Sequence, residues 1–476
     1  MKNLLSNRRV LFGVAATAAV CALLVLVAGH RAPKGVCISF ETPFARGSGG
    51  FRRLEEIVGV FREKNPEIHV KLLPGGPRER DAIIKHILAG RAGDVIEIPL
   101  AALPGLAKKG YVIDVANALT DDIGDVFPLA LAAAEYDNAT YAMPFRARAT
   151  QLIYNGGILL ESGFLPDDPL LNNWTELLET CQTIARRIRG RGCRPLGIAG
   201  ADADMLAGLG AALIGQTDGE LLALRQEKDL SDLGAIWRVT INNEAGIHAL
   251  SMLRRLGEYV PRGALYWSRD DLLREFTAGR VAMFFGDTAA VSRIRREAPD
   301  VQVKVVEAPV DRTYASCVVY YGAAITSAAR HPEACRKLLT HLCGGASQNV
   351  IMTGGRTGLP TSAPVCREFL DDPWYGEHPC YKPFLKALRY SSGHARVQGW
   401  REVQKQAFAP ELKKVIAGKT DPRAAAKRIE ERGNAALGTY YGYIGHASET
   451  AVLGMSIIAG GVFLLVFFTV GHRPKR

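Results

Sequence analysis

The sequence predicts an α/β protein in which strands alternate with helices, in a body large enough for two lobes, flanked by two transmembrane helices. Three observations carry that expectation. From Val36 onward, short apolar β-type runs alternate with amphipathic stretches, the pattern of βαβ units and a parallel sheet with helices on its faces. The 476 residues are 48% hydrophobic and 22% charged, which suits a packed globular body and excludes disordered and fibrous classes. Two long uncharged runs stand near the ends.

Val10–Ala28 is 19 residues without a charge, preceded by Lys2, Arg8 and Arg9, and Ala451–Val470 is a second such run, followed by His472, Arg473, Lys475 and Arg476. At ~1.5 Å rise per residue each run spans roughly 30 Å, the thickness of a hydrocarbon core. Positive residues stay cytoplasmic, so both tails are expected in the cytoplasm and the body across the cytoplasmic (inner) membrane, on the periplasmic or extracellular side. The division is then 1–35 for the tail and first anchor, 36–446 for the body, and 447–476 for the second helix and its basic tail. A cleaved signal peptide is the alternative for the first run. The ends also explain the charge. Eight basic residues and no acid lie in residues 1–35 and 451–476, so the formal +11 leaves 59 − 8 = 51 basic against 48 acidic residues, +3, in the middle. That balance argues against nucleic acid as a partner.

Within the body, VCISF from Val36 reads as a strand and a Gly/Ser turn follows at Gly47–Gly50. Leu54, Ile57, Val58 and Phe61 then recur at i, i+3, i+4, i+7, the mark of an amphipathic helix, and Lys64-Asn65-Pro66 stops it. IHVKLL is a second strand, Glu79–Ala89 a second helix and DVIEI a third strand. Further strands are expected at Ala142–Phe145, Gln151–Tyr154, Val281–Phe285, Val301–Val306 and Val318–Thr326, with long helices at Trp174–Arg189 and Ala245–Tyr259.

Chemical motifs are sparse. The nine cysteines show no CxxC and no metal spacing; Cys366 with Cys380 is the most plausible pair by separation, with buried free thiols as the alternative. There is no HExxH, no GxSxG and no GxGxxG after a strand. Gly418-Lys419-Thr420 resembles the end of a phosphate loop but lacks its first glycine, Lys413 standing there, so it reads as a helix-to-helix turn. Neither an enzyme, a cofactor nor a metal site is indicated. In Tyr320-Tyr321, adjacent strand residues face opposite ways, so one of the two belongs to the core.

Several segments, in order along the chain, resemble the extracellular solute-binding proteins of ABC importers, in the sugar-binding group that includes maltose-binding protein. These are Phe61–Val70, Gly93-Asp94-Val95-Ile96, Tyr141–Pro144 with Leu152–Asn155, Trp174-Thr-Glu-Leu177, Phe276–Met283 with Gly286, Pro332-Glu-Ala334, and Gly358-Leu-Pro360. The resemblance covers about residues 36–440. It implies a periplasmic-binding-protein-like fold, two α/β lobes with a ligand cleft between them and a first crossover near 143–151. Binding would bias open toward closed, which a transporter can read.

The departures from the family bear on the ligand. Where sugar binders often carry an acid in the crossover, this chain has Arg146 and Arg148, at strand spacing i, i+2 and so on one face. They either bind an anionic solute bidentately or pair with acids such as Glu97 across the hinge. Arg46 in the first glycine-rich loop and Arg356 in GGRTG are loop candidates for the same cleft. The loop after Gly286 reads Asp287-Thr288 where the family often has a tryptophan. Tyr321 and Trp400 are candidates for stacking on a ligand ring, or for core packing. The expected function is therefore capture of a small solute, carbohydrate by resemblance or anionic by these arginines, for the permease and ATPase subunits of an ABC importer, by a non-enzymatic domain held to the lipid bilayer through two spans. The other reading is a ligand-sensing domain that signals through its spans or a partner, against which the short tail after Val470 counts.

Overall fold

The structure is a computed structural model and describes residues 35–75, 82–116, 125–165, 171–188, 190–217, 222–225, 236–390 and 400–438. Both uncharged terminal runs lie outside these residues, and among the described residues no helix is long and apolar enough to cross a membrane.

The first lobe is built on β1 (Val36–Thr42), α1 (Gly49–Lys64), β2 (Ile68–Pro74), α2 (Ala82–Leu88), β3 (Val95–Pro99), α3 (Leu103–Lys108), α4 (Pro128–Ala133) and β4 (Met143–Ala149). The chain enters the second lobe with β5 (Gln151–Asn155) and continues through α5 (Gly156–Glu161), α6 (Trp174–Arg187), β6 (Arg194–Gly197) and α7 (Ala203–Gln216). There follow α8 (Glu244–Gly257), α9 (Arg269–Thr277), β7 (Val281–Gly286), α10 (Thr288–Glu297) and β8 (Val303–Val306). β9 (Val318–Ile325) returns to the first lobe, where α11 (Pro332–Cys343) and α12 (Gly345–Thr353) pack.

The periodic apolar positions of α1 are buried as their spacing requires, and Ser48 caps the helix by accepting from the Phe51 amide. Such a cap satisfies one of the orphan N–H groups of a helix start. Asn173, Asp202, Asn243, Ser268 and Asp287 do the same for α6, α7, α8, α9 and α10.

The first sheet has the order β2-β1-β3-β9-β4 and the second β8-β5-β7-β6. The parallel-sheet expectation holds for β2-β1-β3 and for β6 with β7. It fails for the crossing strands, since β9 runs antiparallel to both β3 and β4, and β5 antiparallel to both β7 and β8. The reason is topological: β4 and β9 carry the chain between lobes in opposite senses and lie side by side. Their ends are joined by a hydrogen bond from the Thr150 amide to the Cys317 carbonyl at 3.0 Å.

The C-terminal ends of β1 and β3 point toward the second lobe, and those of β6 and β7 toward the first. The loops after these strands therefore lie where the two lobes meet. The Cys366–Cys380 pairing is not formed: all cysteines among the described residues are free, and the Cys366 sulfur lies 3.9 Å from the carbonyl oxygen of Cys343 instead. Gly418 takes φ +68° in the turn between the helix Ala409–Ile416 and a helix over 422–438, which is a helix-to-helix turn.

Candidate functional site

On the first-lobe side, the register of β9 with its neighbours brings Tyr321 opposite both Pro99 of β3 and Arg146 of β4. Glu97, fully buried, therefore meets the Arg146 guanidinium, with Nε at 2.5 Å and a second nitrogen also on the same oxygen. The Thr42 hydroxyl donates to the other Glu97 oxygen at 2.5 Å, and Arg146 donates to Ser362 at 3.3 Å. The guanidinium carbon stands 3.7 Å from the centroid of the Tyr321 ring and 4.7 Å from that of Phe44. Arg146 is thus a cation held between two rings and a carboxylate, the arrangement that stabilises a desolvated guanidinium.

Arg46, in the loop after β1, and Arg356, in a short 3-10 turn, are exposed and make no ion pair among the described residues. Arg53, buried, ties α1 to the 357–361 loop through the Leu359 carbonyl at 2.9 Å and the Thr361 hydroxyl at 2.5 Å. Burial, and after it the charge of Arg146, lowers the pKa of Arg53 to about 10.

On the second-lobe side, Asp287 follows the last residue of β7. One of its oxygens caps α10 through the Ala290 amide at 3.1 Å, and the other accepts from Arg148 and, at 3.2 Å, from Arg269. Arg269 in turn donates to Asp202 at 2.5 Å, the residue that caps α7. Four charges alternate in sign from Asp202 through Arg269 and Asp287 to Arg148, and the last of these belongs to the first lobe.

Burial alone would raise the pKa of Asp287, but Arg148 and Arg269 outweigh it and hold the carboxyl well below the usual range. Burial likewise opposes the charge of Arg148, and Asp287, with Tyr321, more than offsets it. Thr288 is 2% exposed, and its hydroxyl, like the Nε of Arg148, has no hydrogen-bond partner among the described residues.

The structure therefore gathers Glu97, Arg146, Arg148, Asp287, Thr288 and Tyr321 around the meeting point of the lobes. Arg46 and Arg356 stand in exposed loops of the first lobe. Trp400, at 8% exposure, packs against Phe408 in the second-lobe core with ring centroids 5.7 Å apart. Tyr320 is the core member of its pair, its hydroxyl donating to the Leu388 carbonyl at 3.0 Å, while Tyr321 faces Arg146. Phe44, Asp202, Arg269 and Ser362 escaped the sequence reading. Asp202 and Ser268-Arg269 carried one usable signal, a capping residue before a helix in a loop that follows a cleft-facing strand or leads into one.

No curated protein matches the chain. Among solved structures, it resembles an ABC transporter solute-binding protein from Thermotoga lettingae bound with α-D-tagatose. The identity is 19%, with 85% of this chain and 100% of that one covered, at TM-score 0.69. It also resembles the sugar-binding protein MalE from Xanthomonas citri (17% identity, 85% and 98% covered, TM-score 0.70). A third is a solute-binding protein from Agrobacterium vitis with bound D-mannitol (16% identity, 85% and 99% covered, TM-score 0.65). At such identities the likeness is one of fold, here the two-lobed α/β fold of solute-binding proteins. The family assignment comes from the sequence itself: the model of bacterial extracellular solute-binding proteins matches residues 56–382, more than half of the 476 residues, and the chain belongs to that family.

Proposed function

We propose that the two lobes capture a neutral carbohydrate for an ABC importer, whose permease and ATPase subunits are its partners, and that the chain is tethered to the cytoplasmic membrane at both ends. One observation carries the choice of a neutral solute. Arg146 is paired with Glu97, and Arg148 with Asp287 beside the Arg269–Asp202 pair, so the arginines at the centre of the cleft have their charge cancelled within the protein. An anionic solute would have to displace a buried carboxylate from its guanidinium, and breaking a buried pair is costly. A neutral polyhydroxylated solute needs no such exchange, since its hydroxyls can both donate and accept along the rim of an ion-pair network. The sugar ligands of the structural neighbours agree with this choice. The tether rests on the two uncharged runs and the basic residues at their outer ends.

The experiment is a thermal-shift comparison of the full chain in detergent with maltose, D-tagatose and D-mannitol against glucose 6-phosphate and glucuronate. A ligand at a hundredfold its Kd stabilises the folded state by about 2.7 kcal/mol. Stabilisation by a neutral member of the panel is the expected result. Stabilisation by the two anions alone would overturn the neutral reading and return Arg148 to the role of an anion anchor.

A further inference from the structure

The carbohydrate reading needs a surface on which the apolar face of a sugar ring can lie, and the aromatics named from the sequence do not offer one. Tyr321 is covered by the Arg146 guanidinium at 3.7 Å and Trp400 is in the core. Tyr314 and Tyr390 are exposed but stack on each other, ring centroids 4.9 Å apart.

Among the described residues one further aromatic is exposed. Tyr266 is 78% exposed, more than any other large hydrophobic side chain among those found exposed in the structure. An exposed tyrosine alone means little; its setting is what distinguishes this one. It ends the 3-10 turn Arg262–Tyr266, which is bonded to the loop leaving the C-terminal end of β6. The Gly200 amide donates to the Ala264 carbonyl, and the Ala201 amide to the Trp267 carbonyl, each at 2.9 Å. That end of β6 is the end that faces the first lobe. The neighbours on both sides, Leu265 and Trp267, pack against buried core, so the turn is anchored while Tyr266 projects. The two segments touch backbone to backbone: a Cβ at Gly200 would come within 2.4 Å of the Leu265 Cα. Three residues beyond Tyr266, Arg269 is 31% exposed along its side chain where it pairs with Asp202.

We propose that Tyr266 is the ring-stacking residue of the solute site, presenting its face to a cyclic sugar whose hydroxyls reach the exposed edge of the Arg269–Asp202 pair. The proposal rests on the carbohydrate reading. A rigid aromatic with few rotamers supplies contact area at low entropic cost, and an apolar face beside a fixed polar pair is the composition of a sugar subsite. Gly200 acts through it, as a positioning residue that lets the turn sit against β6.

The test measures binding of maltose, D-tagatose and D-mannitol by the full chain and by Tyr266→Ala and Tyr266→Phe. Tyr266→Ala should weaken the cyclic sugars about tenfold, at the scale of one aromatic contact, while Tyr266→Phe retains binding and the acyclic D-mannitol is little changed. The exposed position keeps both variants folded, which an unchanged urea midpoint verifies. Unaltered affinity of Tyr266→Ala for a cyclic sugar that the wild type binds overturns this inference and leaves the carbohydrate reading standing. Binding of D-mannitol alone, or an equal loss of all three probes, overturns it as well. Failure of the wild type to bind any of them overturns both.

Discussion

Arg146 and Arg148 stand two residues apart on one strand, and their surroundings give them different work. Arg146 is fixed within the first lobe by Glu97, Tyr321 and Phe44, whereas Arg148 reaches across to Asp287 in the second lobe. Removing one partner of a buried pair leaves an uncompensated charge, at roughly 3–5 kcal/mol. Glu97→Ala is accordingly expected to lower the urea unfolding free energy by about 3 kcal/mol, and Glu97→Ala with Arg146→Met to recover most of that loss. A double variant as unstable as the single one would show that the cost lies in packing. Asp287 contributes to the acid limb. Its pKa is depressed in the folded state, so its contribution is present in full above the unfolded carboxylate value of about 3.9 and is lost as the pH falls below it. Melting temperature should therefore drop below about pH 4, and Asp287→Asn should shrink that drop while lowering stability at neutral pH. An acid limb identical in the variant would remove Asp287 as its cause. That the two arginines share a face was legible from their i, i+2 spacing. That Arg148 meets Asp287 was not, because the partners lie 139 residues apart in sequence.

Helices were the most legible elements, since a 3.6-residue period is a local property. Strand direction was not local. β4 runs through Arg148 to Ala149, well beyond the expected Phe145, because β9 pairs with it along its length, and partner strands come from distant sequence. Only the partnered sheet reveals the register shift between Tyr321 and Gly322, which accompanies the turn of Tyr321 toward Arg146. The helices that end the described chain are joined by a different device. Glu411, fully buried, accepts from Lys414 at 2.7 Å, Arg428 at 2.9 Å and Arg432 at 3.1 Å, so one carboxylate ties the helix Ala409–Ile416 to the helix over 422–438. Hydrogen bonds to a charged group contribute about 1.5–3 kcal/mol. Glu411→Gln should thus cost about 2 kcal/mol and raise hydrogen exchange in 422–438 ahead of the rest of the second lobe. Uniform exchange across the lobe would mean that the helix is held mainly by its apolar face.

For the whole molecule, membership of an extracellular family puts the lobes on the periplasmic or extracellular side. The segment after α12 acts as a third strap between them: Ala363 pairs with Ala147 of the first lobe, and the Tyr381 hydroxyl lies 2.9 Å from Ser292 of the second. Its apolar side chains join one core cluster that reaches both lobes. The two terminal runs predict the rest of the topology. A reporter active only in the cytoplasm, fused after Arg476, should be active, and one fused within the body should be silent. Inactivity of the C-terminal fusion would rule out the two-span arrangement.

The sequence by itself determined the α/β alternation, the periodic helices, the family and the charge asymmetry of the ends. All of these depend on short-range pattern or on order along the chain. Tertiary structure alone decided which strands run antiparallel, which arginine bridges the lobes, that Trp400 packs inside while Tyr266 stands out, and that Arg146 and Arg148 each meet a carboxylate. The physical reason is the same in each case. A side chain's counter-charge is set by residues distant in sequence, 49 positions for Arg146 and Glu97 and 139 for Arg148 and Asp287, and only the closed sheets and the crossing strands bring those residues within a few ångströms.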